Sequence, residues 1–224
     1  MNELTKRIVS GVLLAALLLG DLWLGSYAYA GLLIIGGLVV YREFFRLVDQ
    51  MTPSAVARVA WLLFGLAYVG AAGFGLWALR SIEGDGFFYS LWLFLVVWAT
   101  DVGAYIFGRS IGGPKIAPSI SPSKTWAGLF GGIVFVTIVM VGMSMLGRWD
   151  HAFFSGPSLA IGFAIWGIPL VFLAQGGDFF ESWMKRRAGV KDSGTLIPGH
   201  GGLFDRVDGL LPVAIVFPWW MGLA

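Results

Sequence analysis

Residues Leu91–Asp101 read L-W-L-F-L-V-V-W-A-T-D: nine apolar side chains in a row, then a hydroxyl and an acid. Comparable charge-poor runs recur at Ile8–Leu19, Leu32–Val40 and Ile161–Ala174. Across all 224 residues, 58% are hydrophobic and 12% charged, and the mean hydropathy is +0.81. A soluble domain carries about twice that charge fraction, so the surplus apolar surface has lipid as its natural solvent. The fold class expected is an all-α, polytopic transmembrane helical bundle. The 33 glycines suit helices whose backbones approach closely within a bilayer.

Seven spanning segments are expected, at about 7–24, 27–45, 56–79, 87–108, 126–146, 157–181 and 205–222. With Lys6 and Arg7 on the cytoplasmic side, only Arg80 and Arg148 of the 15 Lys+Arg fall outside. This asymmetry orients the N-terminus inward and places the polar connections 109–125 and 185–204 together in the cytoplasm. Lys6-Arg7, an apolar stretch and Ala28-Tyr29-Ala30 also have the outline of a cleavable leader. Apolar character resumes at once through Val40, which favours a second helix instead. No fixed-period repeat or low-complexity linker divides the chain. It is read as one integral membrane domain, 1–224, with N-terminal helices over about 1–100 and a second half, about 101–224, that carries the long polar connections.

The chain has no cysteine and only His151 and His200. Thiolate and multi-histidine metal sites are therefore excluded, and any metal needs oxygen ligands, which favours a hard cation such as Mg²⁺. A net charge of +2 is too small to imply nucleic acid. Acidic residues in apolar segments each cost about 2.5–3.5 kcal/mol on insertion, and Asp101 and Asp178 both close apolar runs toward the expected cytoplasmic side. Alone, each could be an interfacial acid or a cap; together beside a polar loop they outline a site.

On a helix continuing through Arg187, residues Asp178, Ser182 and Lys185 share one face, with Glu181 flanking it. A carboxylate, a hydroxyl and an ammonium in a row suit metal and phosphate together. Arg187 is assigned to an ordinary basic flank of a spanning helix. Lys191-Asp192-Ser193-Gly194 and Ile197-Pro198-Gly199-His200-Gly201-Gly202 follow, where glycines let backbone amides approach an anion. Asp205-Arg206-Val207-Asp208 then opens the last segment, with more acids than helix capping requires. Ser121-Pro122-Ser123-Lys124-Thr125 lacks a Walker A frame; its spacing alone reads as a polar turn before a helix capped by Ser123 or Thr125.

The pattern Ser182-x-x-Lys185-Arg186, Lys191-Asp192-x-Gly194, Ile197-Pro198-x-His200-Gly201-Gly202-x-x-Asp205-Arg206-x-Asp208 resembles the signature of the phosphatidate cytidylyltransferases (CDP-diacylglycerol synthases). Asp101-Val102-Gly103-Ala104-Tyr105 and Ser121–Thr125 resemble the same family, so the likeness covers about the C-terminal half. It implies transfer of the cytidylyl group of CTP to phosphatidate, giving CDP-diacylglycerol and pyrophosphate. By the same resemblance, Asp178 and Asp205 are the principal ligands of Mg²⁺, with Asp101 and Asp208 in support. Mn²⁺ is the alternative ion, and a helping monovalent cation is left open.

Lys124, Lys185, Arg186, Lys191 and Arg206 are expected on substrate phosphates. Ser121, Thr125, Ser182, Asp192, Gly201 and Gly202 complete the binding set. The catalytic group is Asp178, Asp205, Lys185, Arg206 and His200, where His200 would orient a phosphate, donate to the leaving pyrophosphate or brace the glycine turn. The expected setting is a bacterial inner (cytoplasmic) membrane with the active site facing the cytoplasm. Glycine-lined helix faces would permit a homodimer. Two rival readings are a CTP-dependent polyprenol or lipid kinase, which needs a base for a hydroxyl, and an ion-coupled transporter, whose acids would spread through the membrane depth.

Overall fold

The computed structural model describes residues 3–146, 158–197 and 201–220. Six long helices dominate: α1 (Glu3–Leu24), α2 (Ser26–Met51), α3 (Ala55–Arg80), α4 (Gly86–Ser110), α5 (Trp126–Ser144) and α6 (Ser158–Ala188). A short hairpin, β1 (Lys115–Ala117) and β2 (Ser121–Thr125), lies between α4 and α5; α7 (Phe204–Val207) and α8 (Leu210–Trp220) close the fold. Among the described residues, α3, α4, α5 and the Ile161–Ala188 part of α6 are long and apolar enough to cross a membrane. Val56, Leu63, Ile138 and Ile165 are each more than half exposed on them. Water would penalise such a surface, and a lipid bilayer would not.

The core forms around α4, whose Trp92 is fully buried. Its ring centroid lies 5.3 Å from that of Phe163 on α6 and 5.4 Å from that of Phe217 on α8. Glycines set the crossing of α4 and α5: a side chain at Gly103 would overlap the Gly131 carbonyl, and one at Gly131 would overlap the Gly103 carbonyl and Phe107. The two backbones therefore touch, as small residues allow in lipid. Replacing Gly131 by valine is expected to lower stability by about 1–3 kcal/mol through overpacking. Gly142→Ala, where nothing stands within 4 Å, should leave the detergent-solubilised protein's unfolding temperature nearly unchanged. Equal melting of the two variants would reject the close crossing.

One sequence expectation needs correcting, and one connection gains detail. The polar 109–125 connection contains the hairpin, in which β1 and β2 pair antiparallel with Lys115 opposite Thr125 and Ala117 opposite Ser121. The segment expected as one helix at 205–222 is broken after a single turn, and the apolar helix begins at Leu210. Pro212 has no N–H to offer the Asp208 carbonyl four residues earlier, and its ring crowds that carbonyl. The Asp208 carboxylate accepts the Gly209 N–H at 2.8 Å, and the Asp208 carbonyl packs directly on Gly177 of α6. His151, Arg148 and Asp150 lie outside the described residues, as do His200, Pro198 and Gly199.

Candidate active site

The C-terminal parts of α2 and α6 meet β2 and residues 189–197 and 201–204 on one side of the bundle, and Asp101 of α4 faces the same group. Helical spacing on α6 puts Gln175, Asp178, Ser182 and Lys185 along one face. Lys124 arrives from β2 and places its ammonium 2.6 Å from Asp178 Oδ2 and 2.6 Å from Gln175 Oε1. It also lies 5.1 Å from the Phe179 ring centroid. The Ser182 hydroxyl donates to Asp178 Oδ1 at 3.2 Å. The Asp178 side chain remains 35% exposed, so a ligand can reach it.

The neighbouring Thr125 fixes Lys124 in place. Thr125 is the N-cap of α5, its hydroxyl accepting the Gly128 N–H at 3.0 Å. Of the two caps the spacing offered, this is the one used, and Thr125 is buried, as is Ser121. One turn beyond Ser182, Lys185 Nζ bridges Glu181 Oε2 and Asp205 Oδ1, both at 2.6 Å. All three side chains are nearly inaccessible, at 12%, 1% and 4% exposure.

Asp205 also organises the loop before it. Its Oδ2 accepts the Ser193 N–H at 2.9 Å, the Ser193 hydroxyl at 2.8 Å and the Gly202 N–H at 2.8 Å. Burial would raise this carboxyl, but the opposing hydrogen bonds, led by that from Lys185, hold it below the usual carboxylate range. Gly201, at φ 87°, turns the chain into this arrangement, with its carbonyl accepting the Ile197 N–H at 2.9 Å. Asp192 lies against Gly201.

Asp208 has the opposite character. Its carboxyl is raised above the usual range, by burial first and then by the carboxylates of Asp178 and Asp101 nearby. Asp101 in turn sits in the field of Lys124, Asp178 and Arg206. Lys191 and Arg206 are exposed. Arg186 Nε donates to the Ile120 carbonyl at 3.3 Å, joining α6 to the hairpin. Arg187 stacks its guanidinium 5.6 Å from the Trp183 ring centroid, as suits a basic flank.

Two groupings thus emerge from residues far apart in sequence. One is Asp178, Asp101 and Asp208 with Lys124; the other is Lys185 between Glu181 and Asp205. Among the described residues, no three of Asp, Glu or His stand together as a ready-made metal cage. A small divalent cation does not need one when it binds through one or two carboxylates plus substrate phosphates and water. Asp178 is half-open, flanked by two further carboxylates that raise one of their number, and this donor set fits such a hard cation.

Three residues in this site escape a reading of the sequence. Glu43, on α2, stands in a stretch whose evident feature is the basic pair Arg42 and Arg46. Gln175 looks like the end of an apolar run, although it lies one turn before Asp178 on the same face. Ser193 has the look of an ordinary loop residue, although it links Asp205 to Glu43 at 2.8 and 3.2 Å.

Residues 53–223 match the model of the Cytidylyltransferase family. The chain is 34% identical over 260 residues to the phosphatidate cytidylyltransferase of Brucella suis biovar 1 (strain 1330), covering 96% of this chain and 92% of that protein. It is 37% identical over 191 residues to the phosphatidate cytidylyltransferase of Staphylococcus saprophyticus, covering 85% and 66% of the two chains. A further protein of that name, from Staphylococcus haemolyticus, is 44% identical over 153 residues, covering 68% of this chain and 55% of its own. The family match and these relatives agree with one another: the chain belongs to the cytidylyltransferase family.

Proposed function

We propose that this protein transfers the cytidylyl group of CTP to phosphatidate, forming CDP-diacylglycerol and releasing pyrophosphate. The observation that carries the reading is the convergence of two lysine–aspartate pairs, Lys124–Asp178 and Lys185–Asp205, beside Asp208 and Asp101 at the mouth of an apolar bundle. A phosphate oxygen of the lipid forms the new bond to the α-phosphorus, and the bond to the β-phosphate oxygen breaks. The nucleophile is already an anion, so the site needs no strong base; cationic side chains and an in-line arrangement suffice.

Each pair has a charge to exchange. Lys124 can pass from Asp178 to a substrate phosphate, and Lys185 from Asp205 likewise, while Arg206, Arg186 and Lys191 add positive charge around them. Asp178 and Asp205, with Asp101 and Asp208 in support, are the carboxylates to hold Mg²⁺ or Mn²⁺. When bound, such an ion neutralises phosphate charge and eases departure of pyrophosphate. Asp205 is already committed to four hydrogen bonds, so Asp178 is the readier of the two. Ser182 orients Asp178, and the amides around Gly201 and Gly202 lie beside Asp205 for a phosphate to approach.

The setting we infer is a bacterial cytoplasmic membrane, with seven membrane segments, the N-terminus inward and the site facing the cytoplasm. The supply of CTP and the basic bias of the inner connections support it. Phosphatidate would stay in its leaflet, and the glycine-bearing faces would permit a homodimer. Purified protein incubated with phosphatidate, Mg²⁺ and CTP labelled in the cytosine is expected to move label into lipid and to stop on adding chelator. Label that stays out of the lipid while phosphate enters it would indicate a lipid kinase and overturn the reading.

A further inference from the structure

Glu43 is almost completely buried, at 3% exposure, yet it sits on α2, more than a hundred residues from the signature segment. Burying a carboxylate at a membrane protein's core is costly unless its oxygens are satisfied. Both are. Oε2 accepts the Phe204 N–H at 2.7 Å and lies 3.2 Å from the Ser193 hydroxyl; Oε1 accepts the Leu203 N–H at 3.1 Å. Two of these donors are the backbone amides that open α7, the turn that carries Asp205.

The fit leaves no slack. A side chain at Gly194 or at Gly202 would run into the Glu43 carboxylate. Next to it, Phe44 packs on Phe204 with centroids 6.1 Å apart. The loop is thus gripped from two sides, by Asp205 on one and Glu43 on the other, with the Ser193 hydroxyl between them. Apolar packing would join α2 to α7 without a buried charge. What only a carboxylate supplies is a fixed pair of acceptors for the amides of Leu203 and Phe204.

We infer that Glu43 is a positioning residue for the transfer reaction, acting through α7 to hold Asp205 on Lys185 and the glycine turn in register with the substrate phosphates. The inference rests on the proposed cytidylyl transfer. Glutamine at this position keeps the volume but replaces one acceptor oxygen by a donor, which opposes an amide N–H.

The test compares wild type, Glu43→Gln and Gly194→Ala as purified full chains in phosphatidate-containing mixed micelles. It reads kcat and KM for CTP, the unfolding temperature, and hydrogen exchange of peptides covering residues 201–206. Both variants are expected to lose about tenfold to a hundredfold in kcat, as a displacement on the order of an ångström does. KM for CTP should change less than about threefold and the melting temperature should fall by about 2–8 °C, leaving the protein folded at the assay temperature, while exchange of the Leu203 and Phe204 amides quickens.

Full kcat in Glu43→Gln, unchanged exchange at 201–206, or activity lost only in proportion to the unfolded fraction would each overturn the role. Should Glu43→Gln not fold, Gly194→Ala decides alone by the same criteria. A wild type that forms no CDP-diacylglycerol overturns the proposed reaction. An active wild type with a fully active Glu43→Gln overturns only the assignment of Glu43.

Discussion

Asp178→Ala is expected to lower kcat by about a thousandfold, or about 4 kcal/mol of transition-state stabilisation, while the protein still inserts and folds. The reason lies in where this carboxylate stands. It is partly exposed, it faces Lys124 at 2.6 Å, and two further carboxylates lie beside it. Removing it deletes both the readiest oxygen ligand and the group that aims Lys124. Lys124 keeps its bond to Gln175, so the fold has little to lose. Asp178→Asn separates the two contributions, because it retains the volume and an acceptor for Ser182 but not the charge. If the charge is what matters, Asn should be nearly as inactive as Ala, and both should need more Mg²⁺ for half-maximal rate. Turnover of either within tenfold of wild type would remove Asp178 from the centre of the reaction.

Lys185→Met should show its largest effect in stability. Its ammonium lies between two carboxylates at 1% and 4% exposure, and methionine leaves both buried without a counter-charge. Breaking a buried pair in this way costs about 3–5 kcal/mol. For a chain of this length, that corresponds to a fall in melting temperature of about 10 °C. The double variant Lys185→Met with Glu181→Gln removes one of the stranded charges and should recover part of the loss. A single variant that melts within about 2 °C of wild type would mean that Lys185 is solvated rather than clamped. Turnover should vanish in both variants, since Asp205 loses its partner either way.

The helical, lipid-facing character is plain from Leu91–Ala99 and its counterparts, because burial in lipid demands long uncharged runs and little else produces them. The face formed by Asp178, Ser182 and Lys185 is equally legible, since helical spacing alone aligns them. The hairpin is not: the four polar residues and one proline of Ser121–Thr125 carry no alternation, and their pairing with Lys115–Ala117 depends on α4 and α5 bringing them together. The break at Asp208-Gly209 is signalled by Pro212, whose effect four residues upstream is easily overlooked in an apolar run. Glu43 is the hardest to see. Nothing local distinguishes a glutamate between Arg42 and two phenylalanines, and its partners lie at Ser193, Leu203 and Phe204.

The α4–α5 crossing has a mechanical side. There, main chain rests on main chain, so that wall can yield only by separating two whole helices. Residues 193–197 and 201–204 are held differently, by hydrogen bonds from the Ser193, Gly202, Leu203 and Phe204 amides to the carboxylates of Asp205 and Glu43. Shifting that crossing moves two whole helices, whereas each amide of the second arrangement hangs on a single acceptor oxygen, so the loss of one carboxylate is felt locally and not across the bundle.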